Sequence, residues 1–230
     1  MIKMIVFDMA GTVVDEDNVV YKTLQKALQQ AGFDVSLEEV LADGAGKEKS
    51  KAISDIAMKH DPALGSETIE RIYRNFMSML DSAYEELHVR PIEGAAELLM
   101  ELRNMGVYRI LNTGYSKKTA MQLVNKLGWK QDREYDDIVT ASDVPKTRPH
   151  PDMIFMAMEL MGLENAGEVA KIGDSAIDIE EGKNADCAFT VGITTGAQTR
   201  EQLAAANPDY IIDRLADLLP LVKERMHVSA

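Results

Sequence analysis

Apolar residues fill positions 2–7 except for Lys3, and the run ends at Asp8, which leads into Ala10, Gly11 and Thr12. A short, β-branched apolar run of this kind predicts a buried strand that feeds a tight loop. Beyond Asp15 the period becomes helical, first through Val20, Leu24, Ala27, Leu28 and Ala31, then through Ile69, Ile72, Tyr73, Phe76, Met79, Leu80, Ala83, Tyr84 and Leu87. No strand pattern interrupts this stretch. Residues 16–89 therefore read as a helical insertion, or cap, with connecting hinges at 15–18 and 89–91. From Pro91 the pattern alternates. A helix passes through Leu98, Leu99 and Leu102, and another spans 116–127. Strands are predicted at 107–111, near 138–140, and at 169–172, 188–193 and 210–212. Such alternation predicts an α/β fold, a Rossmann-like doubly wound parallel sheet with helices on both faces. Residues 1–15 and 90–230 would form this core. Ligands in such sheets bind beyond the carboxyl ends of the strands, where strand order reverses. Asp8, Thr113 and Asp174 all fall at predicted strand ends.

Composition narrows the partners. The chain has 230 residues, 46% of them hydrophobic, which suits a sizeable buried core. Its 38 acidic against 25 basic side chains give a net charge of −13, which repels nucleic-acid backbones and anionic lipid. Neither is an expected partner. A small phosphorylated molecule is compatible, because a metal ion and a few local cations can reverse the field inside one pocket. The one cysteine, Cys187, lies in an apolar run and reads as a structural thiol. No signal-peptide layout and no bilayer-length apolar stretch is present, which suggests the cytoplasm. Exposed cap helices leave a homodimer open.

Four separated segments can converge on the sheet edge: DMAGTVVD at 8–15, NTGYS at 112–116, KTRP at 146–149 and GDSAID at 173–178. A carboxylate attacks phosphorus only if charge on the phosphoryl oxygens is neutralised, and a divalent cation on hard oxygen ligands does this. Asp8 and Asp174 supply such ligands. Thr113 offers a hydroxyl and neighbouring amides ahead of a helix, and Arg148, with Lys146 as its competitor, a fixed positive charge. Tyr21, Tyr115 and Met9 are candidates for the pocket wall. His60, His88, His150 and His227 show no metal-ligand spacing.

In order and content these segments resemble the four motifs of the haloacid dehalogenase superfamily, over nearly the whole chain. The resemblance implies a Mg2+-dependent hydrolase in which Asp8 is the nucleophile and an aspartyl-phosphate forms. It further implies that the carbonyl of Ala10 is a metal ligand and that Asp178 belongs to the metal site, supporting it from close by. Gly11, Gly114 and Tyr115 would border the substrate. Most phosphatases of the superfamily carry an acid/base aspartate two residues after the nucleophile, where this chain has Ala10.

The stretch DMAGTVVD resembles the phosphonatase (phosphonoacetaldehyde hydrolase) branch, which has alanine there. That branch implies cleavage of a phosphorus–carbon bond after a cap lysine condenses with the substrate aldehyde. The cap offers GAGKEKSKAI at 44–53, and a Gly-x-x-Lys pattern fits Gly44 with Lys47 or Gly46 with Lys49. Lys49, Ala52, Ile53 and Ile56 share one helical face, so Lys49 borders apolar surface, where a lysine becomes nucleophilic. Lys47 remains a second candidate for contact with substrate. Gly114-Tyr115 and the 143–145 stretch Asp-Val-Pro also match the branch. Ala45 and Ala52 depart from it, standing where it has methionine and histidine. The expected substrate is thus a small phosphonate, with a phosphate monoester such as phosphoglycolate as the alternative. A phosphate-binding regulatory module is a further, non-enzymatic reading.

Overall fold

A computed structural model describes residues 1–227, without the side chains of Glu86 and His227. The first strand, β1 (Met4–Asp8), is buried at every position. Its residues divide between two cores, Met4 and Val6 on one face of the sheet, Ile5 and Phe7 on the other. A short strand β2 (Val14–Asp15) follows, then helices α1 (Val19–Gln30), α2 (Leu37–Gly44), α3 (Lys49–His60) and α4 (Ser66–Glu86). Strand β3 (Arg90–Pro91) returns beside β2 in antiparallel register, Val14 opposite Pro91 and Asp15 opposite Arg90. The two segments read as hinges therefore meet through a two-stranded ribbon at Asp15 and Arg90, pinned by an ion pair of 2.8 Å.

The rest of the chain is α5 (Ala95–Asn104), β4 (Tyr108–Thr113), α6 (Lys117–Leu127), β5 (Asp137–Thr140), α7 (Asp152–Leu160), β6 (Val169–Gly173), α8 (Ala176–Asn184), β7 (Phe189–Ile193), α9 (Arg200–Ala205), β8 (Tyr210–Ile212) and α10 (Leu218–His227). The main sheet has six strands in the order β5-β4-β1-β6-β7-β8, all neighbours parallel. This is the expected Rossmann-like α/β sheet. Strand β4 runs past the predicted stop at Leu111. Asn112 and Thr113 are polar, yet they stay in the ladder because Asp8 of β1 and Thr140 of β5 stand beside them in register.

Helices α1 and α4 form on the apolar stripes read in the sequence, α3 carries the face of Lys49, Ala52, Ile53 and Ile56, and α2 lies outside those stripes. In α4, Ile72, Phe76, Leu80 and Tyr84 recur every four residues and are all buried. Ser36 caps α2 through the Glu39 amide, and Glu48 caps α3 through the amides of Ser50 and Lys51. Helix α1 lies along α4, while α2 and α3 pack on each other. One apolar cluster runs without a break from Phe7 and Leu111 of the sheet to Leu24, Ile53 and Phe76 of these helices. Cys187 is partly buried beside the second core, and burial pushes its thiol up to about 12. No helix of the described residues is long and apolar enough to cross a membrane.

Candidate active site

Strand β1 lies between β4 and β6, the position at which strand order reverses. Asp8 ends β1, Thr113 ends β4, and Asp174 follows the last residue of β6. Sheet topology thus brings to Asp8 side chains that the sequence holds more than a hundred residues away from it. Arg148 comes from the β5–α7 connection and is 2% exposed. Its guanidinium donates to Asp8 Oδ1 at 2.7 Å, to Glu181 Oε2 at 3.0 Å and to the carbonyl of Asn112 at 2.9 Å. It also meets the Asn112 side-chain oxygen and lies 2.9 Å from Asp178 Oδ1. Lys146, the competing cation, is exposed.

Carboxylate oxygens of Asp8, Asp174 and Asp178 lie within 4.8 Å of one another, all on buried residues. Burial first, then the Asp178 charge, raises Asp8 to about 6, against the pull of Arg148. Asp174 is pushed well above the usual carboxylate range by burial and by Asp8 and Asp178. Asp178 behaves differently. Burial pushes it up, but Arg148 and Lys171 outweigh burial and hold it low. Its oxygens contact Arg148, Lys171 and the hydroxyl of Ser175. Around these groups Asp8, Asp174, Asp178 and Glu181 face the two buried cations Arg148 and Lys171. Counted as ionised, these four carboxylates outnumber their two cations by two, and the raised Asp8 and Asp174 are where burial resists that excess. Hard oxygen donors with that excess fit a divalent metal ion. Gly11 closes this side, with φ +80° and a hydrogen where a Cβ would lie 2.3 Å from Asp174 Oδ2.

One small cavity brings together Asp8, Ala10, Thr113, Gly114, Tyr115, Arg148 and Lys49, with Tyr21 and Gly46 completing its wall. Met9 is instead wholly buried in the core. The Thr113 hydroxyl accepts from the Tyr115 amide at 3.1 Å, and Ser116, not Thr113, caps α6. Lys49, the first residue of α3, is 5% exposed although charged. Its Nζ donates to the Lys47 carbonyl at 2.8 Å and lies 4.8 Å from the Tyr21 ring centre and 5.2 Å from that of Tyr115. Burial lowers it to about 8, although Asp8 and Glu16 pull it upward. A helix N-terminus further disfavours its cationic form. The Lys47 side chain does not enter this cavity. It pairs with Asp55 at 2.7 Å, on the face it shares with Lys51. None of His60, His88 and His150 lines the cavity, and the side chain of His227 lies outside the described ones.

Sequence reasoning missed several buried partners. Lys171 is a lone charge inside the apolar run of β6, a signal that was legible, and it pairs with Asp178 at 2.9 Å and Glu181 at 3.3 Å. Asn112 and Glu181 orient Arg148 and carried no such signal. Glu16, placed in a hinge by the sequence, is 2% exposed and accepts from Tyr115 Oη at 3.2 Å and Tyr84 Oη at 3.4 Å.

A family model for haloacid dehalogenase-like hydrolases matches residues 5–191. The chain belongs to this family. Among curated relatives of this haloacid dehalogenase-like hydrolase, the phosphonoacetaldehyde hydrolase of Bordetella pertussis (strain Tohama I) is 28% identical over 97% of this chain and 92% of its own. The phosphoglycolate phosphatase of Vibrio parahaemolyticus is also 28% identical, over 96% of each chain. A phosphonoacetaldehyde hydrolase-like protein from Oleispira antarctica superposes with a TM-score of 0.82 at 23% identity, covering 97% of this chain and 92% of that one. The chain is thus a haloacid dehalogenase-like hydrolase. This retires the regulatory-module reading.

Proposed function

We propose that this hydrolase cleaves a phosphorus–carbon bond in a small phosphonate bearing an aldehyde or ketone, in the manner of a phosphonatase. The observation that carries this reading is Lys49, a buried lysine with a lowered pKa in the same cavity as Asp8. In this reading residues 16–89 act as a cap that delivers Lys49 to a core of residues 1–15 and 90–230. Asp8, Asp174 and the Ala10 carbonyl would hold Mg2+, with Asp178 supporting. The ion supplies charge neutralisation at the phosphoryl oxygens.

The lysine amine condenses with the substrate carbonyl and releases water. Asp8 attacks phosphorus, and the electrons of the breaking phosphorus–carbon bond move into the iminium to give an enamine. An acid to protonate an alkoxide is then unnecessary, which accounts for Ala10. Arg148 and Thr113 hold the phosphoryl oxygens, the former through a guanidinium already aligned on Asp8. Gly11, Gly114 and Tyr115 border the substrate. The enamine takes up a proton at carbon, and water hydrolyses the resulting iminium, freeing the Lys49 amine and the carbonyl product. A second water hydrolyses the Asp8 acyl phosphate. Borohydride added with phosphonoacetaldehyde should reduce the imine to a secondary amine at Lys49, detected by peptide mass spectrometry. Lys49→Arg should give no adduct and lose at least about a hundredfold in phosphate release. An unmodified Lys49 alongside turnover of monoesters would overturn the reading.

A second reading, hydrolysis of small monoesters such as phosphoglycolate, is favoured by Ala45 and Ala52 and by the Vibrio relative's name. There Lys49, in its ammonium form, would protonate the leaving oxygen.

A further inference from the structure

A second cavity, of about 140 Å3, adjoins the Asp8 pocket and shares Lys49, Gly114 and Tyr115 with it. Its cap side is apolar, formed by Val20, Phe76, Met77 and Leu80 with Tyr73 beside them, while Ser116, Thr119 and Ser142 bring hydroxyls to the rest of the wall. Glu48 and Lys49 are its charged lining residues among those described. Glu48 is already engaged, its carboxylate accepting from the amides of Ser50 at 3.0 Å and Lys51 at 2.9 Å. Beyond Lys49, no cation among the described residues lines this space. A carboxylate or second phosphate on the substrate would lose hydration beside an acidic side chain and an apolar wall. An apolar group gains from the same wall.

We propose that this cavity binds the organic end of the substrate, and that this end is an uncharged group of about six non-hydrogen atoms whose apolar face meets Phe76, Met77 and Leu80. The size follows from cavity volume, since a cavity of about 150 Å3 takes up benzene. This inference rests on the reading of the Asp8 pocket as the phosphoryl site. Phosphorus then lies at Asp8, the carbonyl carbon at Lys49, and an alkyl or aryl group against Phe76, Met77 and Leu80. The substrate class is a 2-oxoalkyl- or 2-aryl-2-oxoethylphosphonate. Its ketone loses water to Lys49, Asp8 takes the phosphoryl group, and the resulting enamine gains a proton and water to leave as a methyl ketone.

Unreactive phosphonates test the cavity apart from the chemistry. With Mg2+ and the intact protein, calorimetric titration should show affinity rising about fourfold per added methylene from methyl- to butylphosphonate, with phenylphosphonate at least as tight as butyl. The 3-carboxypropyl analogue should bind no better than methylphosphonate. A flat or falling neutral series, or tighter binding of the carboxylate, overturns the proposal. Met77→Trp, which fills the space, should bring the butyl-to-methyl affinity ratio close to one, and a retained ratio counts against it. Phosphate release from 2-oxoalkylphosphonates is scored separately. No release with a rising affinity series removes the phosphorus–carbon reading alone, while release from phosphonoacetaldehyde with a flat series removes the cavity proposal alone.

Discussion

Glu16 illustrates how much a single buried carboxyl can carry. It stands immediately after the β2 strand, yet it accepts hydroxyls from Tyr84 of α4 and from Tyr115 beyond β4, so it joins the inserted helices to the sheet. Burial pushes it from 4.5 up to about 8, against the two tyrosine hydrogen bonds and the Lys49 charge. A carboxyl raised on folding keeps its proton more firmly in the folded state. Its contribution to stability is therefore complete below about 4.5 and declines as pH rises towards 8. Glu16→Gln retains an acceptor and removes the titration. The variant should melt higher than the parent at pH 8, and the difference should shrink towards pH 4.5, as read by calorimetry across that window. Parallel melting curves would show that Glu16 is ionised at no such cost. Lys49 carries the same lesson at the other end of the scale, because its helical face was readable in sequence while its burial between two tyrosine rings was not.

At the scale of elements, the link between α2 and α3 decides how closely the helices meet the sheet edge. Gly46 has φ +72°, and a Cβ there would come 2.1 Å from Ile177 and 2.5 Å from the Ser175 hydroxyl. Across the gap, Gly114 faces the carbonyls of Gly46 and Lys47 at 3.0 and 3.1 Å from its own Cβ position. The Gly46 amide donates to Tyr21 Oη at 3.2 Å, which fixes the loop from the helix side. Gly46→Ala should therefore displace the loop that sets Lys49, costing about 1–3 kcal/mol of stability. Turnover should fall about tenfold or more with a raised KM, since closure and placement are lost together. Steady-state kinetics with a melting curve checks both, and wild-type kinetics in the alanine variant would place the catalytic geometry elsewhere. The Gly-x-x-Lys spacing pointed to this loop, but two registers fitted it. Side-chain placement separates them, with Lys49 in the cavity and Lys47 turned to Asp55.

Across the molecule, net charge and local charge act in the same direction. A chain of net charge −13 concentrates four buried carboxylates at one sheet edge, with two cations among them. Burial, and after it the repulsion between Asp8, Asp174 and Asp178, raises the first two and destabilises the fold wherever they ionise. A bound dication relieves that repulsion only in the folded protein. Mg2+ at a hundredfold excess over its dissociation constant should stabilise by about 2.7 kcal/mol, seen as a rise in Tm that chelation reverses. Asp174→Asn should abolish the rise, and an unchanged shift in that variant would move the ion away from this cluster.

The amino-acid sequence by itself determined the alternation of helix and strand, the helical stretch that follows the first strand, and the order of the four segments whose residues meet at the sheet edge. Those properties follow from local periodicity, from turn residues and from the order of motifs, all of which are written along one dimension. Tertiary structure decided the rest. It extended β4 through Asn112 and Thr113, because a strand's end depends on the neighbours that accept its hydrogen bonds. It placed Lys171 and Glu181 behind Arg148, and made Glu16 a bridge, because the partner of a buried charge is chosen in space. It also gave the cavity beyond Lys49, whose walls come from α1, α3, α4, α6 and the loops after β4 and β5. No periodicity encodes such a space, since it exists only where separate elements fail to fill the volume between them.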